Sequence, residues 1–104
     1  MEITDKELEA VKRYMRVDPD CTEDDWIIRA LYAAAALYLR NAGIEAPEGD
    51  RALYDLALWG LTLFYYDHRD AVGDEAAFPI GLRPVITQLK LLAGAEGEAY
   101  GQER

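Results

Sequence analysis

Two stretches of this chain are apolar on every side, and both are too long for strands. The first, "WIIRALYAAAALYLRNA", runs from Trp26 to Ala42, and between Trp26 and Leu39 its only charged residue is Arg29. The second, "ALYDLALWGLTLFYY", runs from Ala52 to Tyr66 and carries Asp55 alone. A surface helix keeps one polar face, whereas a helix apolar all round has to be enclosed. A bilayer is not the enclosure expected, because the longest apolar run falls short of the ~20 residues that a membrane core requires. The rest of the chain must therefore cover these helices. Four helices of the available lengths cannot cover every face of two of them, so apolar surface is left over. Large exposed apolar patches mark interfaces, and self-association into a closed symmetric assembly is the simplest outlet.

The flanking segments supply the other two helices. "TDKE" is a helix start: Thr4 caps and Glu7, three residues on, closes a capping box. Leu8, Val11 and Tyr14/Met15 then recur at helical spacing. That helix is expected to end near Met15, with "RVDPD" extended because Pro19 disfavours helical geometry at Asp18. Thr22 is the expected cap of the second helix, with Glu23, Asp24 and Asp25 favoured by the dipole and Gly43 as terminator. "GIEAPEGD" breaks the pattern, and Asp50 caps a third helix from Arg51 to about Arg69. Gly60 inside it is a site of close helix approach or a tolerated weak point. After the loop "VGDEAAFPIGL", "RPVITQLKLLA" reads as a fourth helix with Pro84 in its first turn. Residues 1–93 form one helical domain, and 94–104, with three glycines, read as a flexible C-terminal tail. No strand pattern, repeat or heptad run is present. The expected class is all-α, a small four-helix protomer with two apolar central helices.

The 104 residues are 51% hydrophobic with a net charge of −9, which suits one folded domain and opposes direct binding of nucleic acid. A single cysteine, Cys21, forbids an internal disulfide and suggests a reducing compartment. "MEITDKELEA" is acidic and does not read as a signal peptide, so an intracellular protein with no membrane association is expected.

Catalytic chemistry finds little material. Serine is absent, which removes a serine triad. Cys21 lies among carboxylates in "DPDCTEDD", which disfavour a thiolate. The same acidic run fails the calcium-loop pattern: counted from Asp18, the places for glycine and for the terminal glutamate hold Glu23 and Arg29. The only histidine, His68, stands in "FYYDHRDAV" beside Asp67 and near Asp70. Neighbouring residues on a helix diverge by about 100°, so Asp67 and His68 do not converge on a metal. A helix C-terminus at which His68 and Arg69 complement the dipole is the simpler reading. No enzyme, cofactor, catalytic residue or metal site is expected.

Taken in order, "ELEAVKRYMRVDPD", "EDDWIIRALYAAAALYLRNAGI", "LYDLALWGLTLFYYDHRDAV" and "FPIGLRPVITQLK" resemble the head–tail connector (head-completion adaptor) family of long-tailed phages and prophages. The matching places are Met15–Asp18, Asp25, Tyr38–Gly43, Tyr66–Ala71 and Pro79–Arg83, within about residues 3–92. Two positions depart from the family's pattern, His68 for its usual asparagine and Lys90 for its frequent arginine. The resemblance implies a structural virion protein without catalysis. Such a protein forms a homo-oligomeric ring that docks on the portal and extends the DNA channel, through which DNA passes without specific contact. It also gives head-completion or tail proteins an attachment site, so the expected location is the virion head–tail interface, reached from the host cytoplasm during assembly. Trp26, Tyr38, Tyr65, Tyr66, Arg69, Arg83 and Tyr100 are the expected packing or interface residues, being types enriched at contact hot spots. The rival reading is a small acidic helical regulator or adaptor that binds one basic protein partner.

Overall fold

The computed structural model describes residues 3–69, 72, 78 and 81–101, with side chains as far as residue 92. Its regular elements are α1 (Asp5–Met15), α2 (Asp25–Asn41), α3 (Ala52–Asp67) and α4 (Arg83–Gly101). No strand occurs among the described residues, and the fold is all-α with four helices.

The capping box forms as the sequence predicts. Thr4 Oγ1 accepts the Glu7 amide at 3.1 Å, and Glu7 Oε1 accepts the Thr4 amide at 2.9 Å. The first helix ends at Met15 as expected, but "RVDPD" is not extended throughout, because it opens on a left-handed turn at Arg16. Arg16 is left-handed, with φ 64°, and its amide bonds Arg13 O at 3.2 Å while Val17 N–H reaches Lys12 O at 2.8 Å. This is a Schellman turn on a non-glycine residue. The turn at the end of α2 repeats it at Gly43, the expected terminator, where φ is 88°. There Gly43 N–H bonds Arg40 O at 3.0 Å and Ile44 N–H bonds Leu39 O at 2.8 Å, with Ile44 and Leu39 both buried.

At the start of α2 the structure corrects the sequence reading. Asp24 holds the N-cap position without a side-chain cap bond, and Thr22 contributes only its carbonyl, to the Asp25 amide at 3.2 Å. The two aspartates have tertiary partners instead: Asp24 accepts the Tyr66 hydroxyl, and Asp25 pairs with Lys12. For α3, Arg51 and not Asp50 holds the N-cap position, without a side-chain cap bond; Asp50, one residue earlier, accepts the Ala52 amide on Oδ1 at 2.9 Å. The last helix is longer than expected: α4 continues past Ala93 to Gly101. Gly94 and Gly97 each cost a helix about 1 kcal/mol relative to alanine, but neither breaks it as proline would. Residues 102–104 of the expected tail lie outside the described residues.

The central element is α3, which packs on α1, α2 and α4. Tyr54, Ala57, Leu58, Leu61, Thr62, Phe64 and Tyr65 are buried along it, leaving only Ala52, Leu56 and Asp67 exposed. Thr62, the polar member of this group, donates to Leu58 O at 2.7 Å. Gly60 does serve close approach. A Cβ there would stand 3.0 Å from Leu82 Cδ1, so the missing side chain lets the segment entering α4 lie against α3. Phe78 is inserted edge-on between Tyr38 and Phe64, with ring centroids at 5.2 and 5.7 Å.

A buried cation fixes the α1–α2 connection. The side chain of Lys12 is 4% exposed, and its ammonium reaches Asp25 Oδ1 at 2.8 Å, Cys21 O at 2.8 Å and Pro19 O at 3.2 Å. Arg29, the one charge within the apolar length of α2, ties that helix to the start of α1 through Ile3 O at 3.2 Å and Asp5 at 3.0 Å.

Candidate functional site

Exposed apolar surface falls on α2 and at Leu91 and Leu92 of α4, and on α2 it forms a continuous stripe. Ile28, Leu31, Tyr32, Ala35, Ala36 and Leu39 face the core. On the opposite side Trp26 is 69% exposed and Leu37 50%, with Ala30 exposed and Ala33 half-buried between them. Positions 26, 30, 33 and 37 follow the i, i+4, i+7, i+11 spacing of a single helix face. The result is a stripe with one aromatic end, one leucine end and small residues between, along which another backbone can approach closely. Stripes of this composition are suited to receiving a helix or a loop.

The residues expected at an interface divide into several groups. Trp26 is open to solvent on the stripe. Tyr38, on the same helix, is half-buried against Phe78. Tyr65 is 0% exposed, so it is a core residue and not a subunit contact. Tyr66 is held by its hydroxyl on Asp24, which joins the end of α3 to the start of α2. That hydrogen bond, followed by burial, raises the phenol's pKa. Arg69 is exposed and lies over the Tyr66 ring, 5.5 Å from its centroid. Arg83 is exposed and donates from Nε to Phe78 O at 3.4 Å. Tyr100 lies beyond the described side chains.

His68 behaves as a helix-end residue. Its ring stacks on Phe64 with centroids 4.7 Å apart, and Nδ1 lies 3.2 Å from Phe64 O. Asp67 and His68 are both exposed, and Asp70 lies outside the described residues. Among the described residues no three His, Cys, Asp or Glu side chains converge in a way that would hold a metal. None of the described helices is long and apolar enough to cross a membrane.

One polar group sits where α1, α2 and α3 meet. Arg51 pairs with Asp55 at 3.1 Å and lies over the Tyr54 ring, 5.3 Å from its centroid. Tyr32 beside them has its pKa raised, by burial first and then by the charges of Glu7 and Asp55. Burial likewise raises Tyr54. Both phenols stay neutral and the Asp55 carboxylate is already engaged, so the arrangement offers no free base or nucleophile. It is a polar seam between helices.

The sequence reading missed Ala30, Ala33 and Leu37 as members of the exposed face. The only available signal was Arg29, whose tie to α1 fixes which way α2 is rotated. Comparison with known protein families, curated proteins and solved structures gave no match to this chain.

Proposed function

We propose that this protein is a structural head–tail connector of a long-tailed phage or prophage. In this reading its protomers assemble into a ring on the portal. The ring extends the DNA channel and offers a surface to further head-completion or tail proteins. The observation that carries the reading is the exposed stripe Trp26, Ala30, Ala33, Leu37 on a helix whose other face is core. A domain of this size that leaves such a face uncovered is built to cover it in an assembly. The ordered motifs from Met15 to Arg83 supply the resemblance, and the four-helix fold is compatible with it. The charge of −9 supports the channel role, since like charge lets DNA pass without adhering to the wall. The site described above is one of contact and not of catalysis.

Native mass spectrometry and negative-stain imaging, on the protein alone and mixed with its cognate portal, test the proposal. A large homo-oligomer, free or formed on the portal, is expected, and Trp26→Asp should reduce it while leaving the helical circular dichroism intact. A chain that stays monomeric at high concentration and ignores the portal rules the connector reading out.

A further inference from the structure

A second recessed surface, of mixed apolar and acidic lining, surrounds the loop of residues 43–50, between α2 and α3. Two open cavities adjoin there and share Ile44, Glu45, Ala46 and Tyr54. One, of about 790 Å³, reaches Leu53, Leu89 and Leu92; the other, of about 460 Å³, reaches Ala33, Ala34 and Leu37. Leu92 is 52% exposed and Leu37 50%, so each side of the loop presents a leucine to solvent beside a recess. The polar members of the lining are unbalanced in charge. Glu45, Glu48 and Asp50 stand against the single cation Arg40. Glu45 and Glu48 are exposed and pair with no basic residue among the described residues.

We propose that this recessed surface docks an amphipathic helical segment of a partner protein, with leucine-sized residues on one face and lysine or arginine on the flanks. Leu37, Ile44, Leu53 and Leu92 in the recesses provide for the first face, and the unpaired carboxylates of Glu45 and Glu48 provide for the second. A second copy of this chain is disfavoured as the occupant, because two chains of charge −9 gain nothing electrostatically where this acidic rim is the contact. Nucleic acid is disfavoured for the same reason. The proposal does not depend on ring formation. The surface shares Ala33 and Leu37 with the exposed stripe of α2, but Glu45, Glu48 and Leu92, the positions substituted in the test, lie off that stripe, so a failure of either idea can be told from a failure of the other.

The test uses the full chain and a fluorescein-labelled synthetic peptide of about 14 residues, roughly four helical turns. The peptide carries leucine at i, i+3, i+4 and i+7 and lysine elsewhere. Fluorescence anisotropy should show saturable binding that weakens as salt rises from about 50 to about 300 mM. Leu92→Asp and the pair Glu45→Lys/Glu48→Lys should each weaken binding at least about tenfold, as loss of an anchor or of the charge complement does. All three positions are exposed, so unchanged circular dichroism should accompany the loss. A peptide of the same composition with its leucines scattered round the helix should bind much more weakly. Equal binding of the scattered peptide, indifference to the substitutions, or no binding of the amphipathic peptide overturns the proposal. Loss of self-association in these variants with peptide binding unchanged overturns it too, and assigns the surface to a second copy.

Discussion

Replacing Lys12 with methionine removes one ammonium and keeps most of the apolar stem, so it isolates the buried charge. In the native chain that ammonium joins Asp25 at 2.8 Å and bonds the carbonyls of Cys21 and Pro19. Removing one partner of a buried ion pair costs about 3–5 kcal/mol, most of it from the charge left behind. The Asp25 side chain is 24% exposed and sits in the first turn of α2, where the helix dipole still favours its charge. Pro19 and Cys21 are exposed, so water can satisfy their carbonyls once the lysine is gone. The loss therefore belongs at the lower end, about 3 kcal/mol, which for a domain of this size lowers Tm by about 10–20 °C. Urea unfolding followed by far-UV circular dichroism reads it: the midpoint should fall with an unchanged slope, because the surface exposed on unfolding is the same. Adding Asp25→Asn to Lys12→Met should recover part of the loss, with a coupling above about 1 kcal/mol. A Lys12→Met protein within about 0.5 kcal/mol of the native chain would show that the ammonium is dispensable and the reasoning wrong.

The raised pKa values of Tyr32, Tyr54 and Tyr66 mean that the folded chain holds these phenolic protons more tightly than the unfolded one. The resulting stability is complete below the ordinary phenol pKa of about 10 and is lost as pH rises through the folded values. Absorbance titration of the seven tyrosines should show a late group that ionises together with loss of helix; a single step near pH 10 with the fold intact would contradict this. Gly60→Ala should change stability by less than about 1 kcal/mol, the propensity gain opposing the 3.0 Å approach to Leu82. Gly60→Val should cost about 2 kcal/mol or more by overpacking, measurable in the same urea assay. His68→Asn should cost under about 1 kcal/mol, the value of its stack on Phe64, and should leave assembly unchanged. Loss of a bound metal or of a measured turnover on that change would refute the helix-end reading.

Features of the fold that depend on local chemistry could be read from the sequence. The Thr4–Glu7 box and the Gly43 stop each need only residues within one turn, and both appear as expected. Features that depend on tertiary partners could not. Arg16 has no intrinsic taste for the left-handed region; it is held there because Val17 returns onto the core and bonds Lys12 O. The cap expected of Thr22 gives way to Asp24, whose carboxylate is drawn to Tyr66, far along the chain. Lys12 looks like an ordinary exposed lysine in "EAVKRYM", and only the path of the loop past it reveals a buried charge. The candidate site was legible to the same degree. A helix apolar on every side announces that some face must find a partner, but its own pattern cannot say which one.

That ambiguity is resolved by what surrounds each of the two apolar helices. Neighbours on three sides, α1, α2 and α4, cover α3, which uses its uniform apolarity within the protomer. By contrast, α2 rests chiefly on α3 and meets α1 more slightly, so among the described residues no element covers its far side. If its apolarity served only the core, positions 26, 30, 33 and 37 would be free to carry Lys or Glu, as exposed helix positions commonly do. They carry Trp, Ala, Ala and Leu instead. Arg29 is anchored at the edge of this face by Ile3 O and Asp5, which holds α2 in a fixed rotation about its axis. The stripe is thus presented in one orientation before any partner arrives, and less ordering is left to oppose association. In the proposed connector, a helix apolar all round and fixed in rotation serves the core with one face and the ring with the other.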